Sequence, residues 1–237
     1  MPPARSSAPR APIAPLLHES LGERVYRTVR DLILSQVFPP GSKLNVEQIC
    51  RDLGVSRTPV WDTMRRLESE GLVNTVPRHG VFVLNYGADQ IRDLFAVRGA
   101  LEALAVRQAA EHLADDTRAG LEATMKDMER AADAGLMEQY SRAAIDFHDQ
   151  VLVVARNRAL RRLLENVYAQ ILVLRLRSLY LPERVESSVA EHREIFDAVL
   201  AGDAERGERL ARAHAEHVLQ DALEFTRRRP GHAGATS

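Results

Sequence analysis

The stretch LGVSRTPVWDTMRRLESEGLV, Leu53 to Val73, decides the fold of the first third of this chain. Gly54 follows a short apolar-periodic run and reads as a helix stop. Ser56 reads as the N-cap of the next helix. Pro59 sits in its first turn, where the missing N–H costs nothing. Val60, Met64 and Leu67 recur at helical spacing and predict its buried face, and Gly71 ends it. Arg57, Trp61 and Arg65 then fall on the other side.

Working outward from this stretch, Val25, Val29, Leu32 and Ile33 give an apolar stripe for an earlier helix. Phe38-Pro39-Pro40-Gly41 stops it. Asn45 reads as the N-cap of a short helix carrying Val46, Ile49 and Leu53. Downstream, Leu72–Val76 and Val81–Leu84 alternate like strands, and Pro77-Arg78-His79-Gly80 joins them as a hairpin turn. Three helices and a hairpin in about 65 residues are the plan of a winged helix-turn-helix. Tyr86-Gly87-Ala88 reads as a linker. Beyond it, strand signals are absent and the spacing predicts helices near 88–113, 116–134, 138–155, 157–180, 185–201 and 204–228, with Asp203 capping the last. The expected fold class is mainly α: a winged helix-turn-helix followed by an all-α bundle of about six helices. The expected boundaries are a disordered arm at 1–18, the DNA-binding domain at 19–86, the helical domain at 87–229 and a disordered tail at 230–237.

Whole-chain properties narrow the class further. The chain has 237 residues, and 45% hydrophobic content marks a globular protein. Net charge is −1, so any nucleic-acid surface must come from locally clustered Arg. Cys50 is the single cysteine and cannot form an internal disulfide. No apolar run reaches the roughly 18 residues of a membrane span; the run from Ile171 to Leu176 is interrupted by Arg175 and Arg177. Arg5 and Arg10 are not followed by an apolar stretch, so no signal peptide is read, and cytoplasmic localisation is expected.

Three elements together, Pro39-Pro40-Gly41-Ser42-Lys43-Leu44, Leu53 to Val60, and Arg66-Leu67-Glu68-Ser69-Glu70-Gly71-Leu72-Val73, closely resemble the DNA-binding domain of GntR-family transcription regulators. The likeness runs from about Val25 to Val83. The second half resembles the FCD-type ligand domain of the FadR subfamily through Arg98 with Glu102, Phe147-His148, Asn157 with Leu160, Glu191-His192, Gly202-Asp203 and His214.

This resemblance implies a regulator, not an enzyme. A homodimer is expected on a palindromic double-stranded operator, acting as a repressor whose binding is modulated by a small carboxylate-containing effector. Ser56 and Thr58, with the helix N-terminus, suit phosphate or base-edge contacts. Arg57 suits guanine O6 and N7, and Arg65 a phosphate or base. Arg78, His79 and Gly80 form the wing tip. The chain departs from the family at Trp61-Asp62, where Arg-Glu is usual. Trp61 cannot make the bidentate bond of an Arg; it either packs on a thymine methyl or sugar edge, or packs at a domain interface.

In many members the bundle holds a divalent metal on one Asp and three His. The three His match His148, His192 and His214, a donor set suited to zinc or nickel. The Asp position, one turn before His148, is Ala144. Either the effector completes a three-His site, or the imidazoles hydrogen-bond the effector directly. Each lies on an apolar helical stripe, so the three are expected to meet in the core. Arg98 is either a carboxylate clamp for the effector or a salt-bridge partner of Glu102. His217 lies three residues after His214 without support from a family motif. No organic cofactor is expected. Two alternatives fit the same residues less well: a metal-dependent hydrolase using the three His, for which no suitably spaced general base is present, and an architectural DNA binder without a sensing role.

Overall fold

In a computed structural model, residues 20–174 and 182–227 are described. The arm, the tail, Arg5, Arg10, Arg175 and Arg177 lie outside these residues, as does the expected continuation of a helix to 180.

The winged half follows from its caps. Helix α1 (Leu21–Leu34) starts at Ser20, whose hydroxyl accepts from the Glu23 N–H, and buries Val25, Val29 and Ile33. Strand β1 (Lys43–Leu44) follows. Helix α2 (Val46–Leu53) is capped by the Asn45 side chain and closed by Gly54 at φ 63°, a left-handed position that favours glycine. Helix α3 (Arg57–Ser69) buries Val60, Thr63, Met64 and Leu67. Strands β2 (Val73–Val76) and β3 (Gly80–Val83) form the wing hairpin. All three strands join one antiparallel sheet in the order β1-β3-β2, with Leu44 opposite Val81 and Val76 opposite Gly80. The sequence reading missed β1: two residues carry no period.

The helical half comprises α4 (Ala88–His112), α5 (Asp115–Asp133), α6 (Met137–Ala155), α7 (Arg158–Leu174), α8 (Pro182–Leu200) and α9 (Ala204–Arg227). The Asn157 side chain accepts from the Leu160 N–H and starts α7, and Asp203 does the same for α9 through the Arg206 N–H. The main core gathers Leu121, Met125, Met128, Phe147, Leu164 and Ile195. Helices α4 and α9 pack along most of their length; Gly99 permits this, since a Cβ there would meet the Ala215 methyl at 3.2 Å. A second core holds the winged half, and it includes Ala169 and Val173 from α7. No helix among the described residues is long and apolar enough to cross a membrane.

Candidate functional site

Two surfaces carry the residues singled out by sequence. On α3, the Arg57, Trp61 and Arg65 side chains are exposed, one turn apart, opposite the buried Val60, Met64 and Leu67. Ser56 and Thr58 are exposed at the helix start, and Ser56 makes no side-chain cap bond, so its hydroxyl is uncommitted to the helix. Arg57 pairs with Glu47 at 2.6 Å and Arg65 with Asp62 at 3.0 Å, all four side chains being more than 60% exposed. Such pairs contribute little and exchange readily for other anions. Trp61 is 38% exposed, a large apolar ring open to solvent on the helix's outer face. Arg66 points elsewhere: its guanidinium lies 3.4 Å from the centre of the Tyr26 ring and pairs with Glu23 and Glu70.

The wing tip puts Arg78 at φ 66° and Gly80 at φ 113°. Glycine suits position 80 because φ 113° strains any L side chain; the nearest neighbour, the end of the Lys43 side chain, could move aside. Lys43, on β1, reaches the wing at Gly80. Sequence reasoning passed over it because β1 itself was not visible.

The second surface is internal. His148 on α6, His192 on α8 and His214 on α9 offer nitrogens that all lie within 4.8 Å of one another. Their ring centres are 5.1, 5.9 and 4.5 Å apart. Each helix places its imidazole by the same device, an apolar stripe turned toward the core. The outer nitrogens are held. His192 Nδ1 lies 2.7 Å from the Ser188 carbonyl oxygen, and His214 Nδ1 lies 2.6 Å from Glu191 Oε2. A carbonyl oxygen and a carboxylate only accept, so both Nδ1 atoms carry a proton, and in a neutral ring the Nε2 then presents its lone pair. His192 Nε2 faces His148 Nε2 at 3.3 Å.

Burial disfavours charge on His148 and His192. Burial pushes the His148 imidazolium down to about 4, against the pull of Glu102. Burial and the neighbouring His214 and His148 push His192 well below its ordinary value. Glu102 is 3% exposed. Burial pushes its carboxyl up, but Arg98, His148, His214 and the Tyr168 hydroxyl outweigh that and hold it at about 2. Its Oε1 accepts from Arg98 Nε at 2.9 Å and from the Tyr168 hydroxyl at 2.7 Å. Its Oε2 is buried without a hydrogen-bond partner among the described residues. Glu191 is likewise held at about 2 against its burial by His214 and Arg184.

The His cluster forms one wall of a cavity of about 150 Å³. Tyr140, Ala144, Ile145, Leu172 and Val218 supply an apolar surface, and Arg98, Arg184 and Ser188 supply polar groups. Arg98 lines the cavity while paired with Glu102, so the salt bridge exists and the guanidinium still faces the cavity wall. Ala144, one turn before His148, brings only a methyl to the cavity wall. His217 stays outside the cluster, exposed, with Nδ1 2.9 Å from Glu191 Oε1. Sequence reasoning missed Tyr168, Arg184 and Ser188; none belongs to a motif, and only the tertiary fold brings them to the cavity.

Whether a divalent metal suits these residues turns on the donors. Three imidazoles converge with Nδ1 of His192 and His214 engaged elsewhere, so their Nε2 atoms and the His148 ring face a common point, a donor set that a divalent cation can use. The residues fit.

With this geometry in view, comparisons with known proteins are decisive. Residues 21–83 match the family described as bacterial regulatory proteins, gntR family, and residues 93–217 match the FCD domain, more than half the chain. The chain belongs to the GntR family of regulators that carry an FCD domain. It is 29% identical over 207 residues to the HTH-type transcriptional regulator YdhC of Bacillus subtilis (strain 168), covering 84% of this chain and 92% of that one. It is 28% identical over 214 residues to the "Probable D-xylose utilization operon transcriptional repressor" of Paenarthrobacter nicotinovorans, covering 85% and 92%. Among solved structures, E. coli McbR/YncC superposes with a TM-score of 0.71 at 21% identity, covering 89% of this chain and 99% of that one, a likeness of fold. The protein is thus a DNA-binding transcription regulator with a winged helix-turn-helix and a helical FCD domain.

Proposed function

We propose that this regulator is a cytoplasmic homodimeric repressor whose grip on a palindromic operator is modulated by a small carboxylate bound in the FCD cavity, together with a divalent transition metal. Residues 19–86 act as the reading head, 87–229 as the sensing and dimerising part, and 1–18 and 230–237 as flanking segments. On DNA, Ser56, Arg57, Thr58, Trp61 and Arg65 meet the major groove, while Arg78, His79 and Gly80 meet the backbone or minor groove. Trp61 replaces a guanidinium with an apolar ring, which favours a thymine methyl over a guanine edge. One short reading head rarely suffices, and two-fold symmetry matches a palindrome.

The observation that carries the sensing role is the convergence of His148, His192 and His214 within 4.8 Å in the cavity wall. These three would hold zinc or nickel, which when bound supplies a Lewis-acidic anchor for an anionic oxygen. Ala144 leaves a protein oxygen missing from that set, and an effector carboxylate supplies one. The apolar wall from Tyr140, Ile145, Leu172 and Val218 suits an effector with one carboxylate and an apolar body. Arg98 and Arg184 remain as polar contacts at the wall.

Metal analysis of the purified full-length protein tests this reading. Up to one equivalent of zinc or nickel per chain is expected, lost in His192→Ala and retained more strongly in Ala144→Asp. Wild-type protein that takes up neither ion at micromolar concentration, or His192→Ala that keeps its metal, overturns the metal assignment. Gel shifts on selected operator DNA, with and without candidate apolar carboxylates, test modulation.

A further inference from the structure

Helix α7 belongs to two structures at once. One face lines the cavity through Tyr168, Ile171 and Leu172, and the Tyr168 hydroxyl donates to Glu102 beside the His cluster. The other face enters the winged half: Ala169 and Val173 are 3% and 0% exposed within the same core as Val25, Val29, Ile33 and Leu67. These residues alternate along less than two turns, so nothing separates the two environments except the helix itself.

The polar contacts between these faces are specific. Gln170 Nε2 donates to the Glu70 carbonyl oxygen at 3.0 Å, and Gln170 Oε1 accepts from the Tyr86 hydroxyl at 2.7 Å. Glu70 is the C-cap of α3, the helix whose opposite end carries Arg57 and Trp61, and Tyr86 precedes α4. One carboxamide therefore ties the end of the reading helix to the connecting segment, with both of its polar ends used. Gly71, at φ 70°, lies directly against this contact: a Cβ there would come 2.8 Å from Gln170 Nε2 and push the carboxamide aside. A further tie runs from Gln36 Nε2, just past α1, to the Val173 carbonyl oxygen at 3.0 Å.

We infer that α7 is the transmission element of this regulator, with Gln170 as the latch that passes the state of the cavity to the reading helix. A group entering the cavity presses on Tyr168 and Leu172. Because α7 is a single rigid helix, displacement on that side moves Gln170 and Val173 on the other. Packed interfaces shift between discrete arrangements instead of deforming smoothly, and an α3 held at its C-terminal end swings its N-terminal end over about 20 Å of helix. Gln170 is thus a positioning residue: it touches neither DNA nor effector. The inference rests on the cavity being the sensing site.

The test is amide hydrogen exchange of the full-length protein, read at 69–73 and 84–86, under three perturbations of the cavity: Zn²⁺ added to the wild type, Ala144→Phe to fill the cavity, and Leu172→Ala to enlarge it. Each should change exchange in both segments several-fold. In the Gln170→Leu background, which loses both hydrogen bonds at similar volume, those changes should disappear while the exchange changes in α6 and the metal content persist. Changes confined to α6 and α7, or the same response at 69–73 with Gln170→Leu, overturn the latch. If the wild type does not take up Zn²⁺, the metal reading fails alone, and the two cavity variants still decide the role of α7.

Discussion

Arg57–Glu47 on the reading helix and Arg98–Glu102 beside the cavity are the same chemical pair in opposite surroundings. The first spans 2.6 Å with side chains 72% and 62% exposed; the second spans 2.9 Å with 7% and 4%. In water, the attraction is screened and the guanidinium can leave its carboxylate for a phosphate or a guanine at little cost. In the bundle, neither partner can leave without stranding a charge. The pair at the surface is therefore suited to exchanging partners, and the buried pair to holding a fixed field around three imidazoles. Distance alone does not distinguish the two roles.

The largest expected effect follows from the buried pair. Glu102→Ala leaves Arg98 charged and buried beside the cavity, and removes the acceptor of Tyr168. It should destabilise the helical half by about 3–5 kcal/mol in denaturant unfolding. Glu102→Gln keeps an acceptor for both donors and should cost distinctly less. Equal losses for the two variants would mean that the lost charge, and not the lost acceptor or shape, carries the cost.

At the surface pair the effect moves from stability to binding. Arg57→Ala should leave the unfolding midpoint nearly unchanged yet weaken operator binding by about 1–3 kcal/mol, with less loss on random DNA. Its partner provides the control. Glu47→Ala should alter stability within about 0.5 kcal/mol and should not weaken operator binding, because it releases Arg57 from a competing anion. Anisotropy titrations on both DNAs check this; a Glu47→Ala variant that binds as poorly as Arg57→Ala would show that the pair positions the guanidinium instead of merely occupying it.

The contrast also explains which parts of the molecule were legible in the sequence. The reading head was, because its signals are local: Asn45 and Ser56 before helices, Gly54 after one, and Val60, Met64 and Leu67 on one face. The meeting of His148, His192 and His214 was legible as well, since a polar residue on an apolar stripe must find partners inside. Their surroundings were not. Tyr168 reaches Glu102 across 66 residues and Gln170 reaches Glu70 across 100, and no periodicity marks such contacts. Glu102 could be read as a helical neighbour of Arg98, but its unpartnered Oε2 and its place near His148 depend on how α4 packs against α6. Lys43 joined the wing tip through a two-residue strand too short to show a pattern.

Between the two extremes lies Glu70, 16% exposed, which accepts from the Tyr26 hydroxyl at 2.7 and 2.8 Å and pairs with Arg66, itself stacked on the Tyr26 ring. This half-buried cluster tests whether burial grades the effect continuously. Burial first, and then the hydrogen bond and charge of Glu70, push the Tyr26 phenol up to about 12. The sign follows directly. An unfolded tyrosine ionises near 10, so between 10 and 12 the folded state holds a proton that the unfolded state has lost. The stabilisation is complete below pH 10 and drains away as pH rises toward 12. Tyr26→Phe removes the hydroxyl but keeps the ring beneath Arg66. It should cost about 1 kcal/mol near neutral pH, between the values for the buried and exposed pairs. Measured by urea unfolding across pH, the gap between wild type and Tyr26→Phe should stay level to about pH 9.5 and narrow above 10. A gap that is constant to pH 11 would mean that the hydroxyl's partner does not sense its proton, and the gradation from surface to core would lose its middle term.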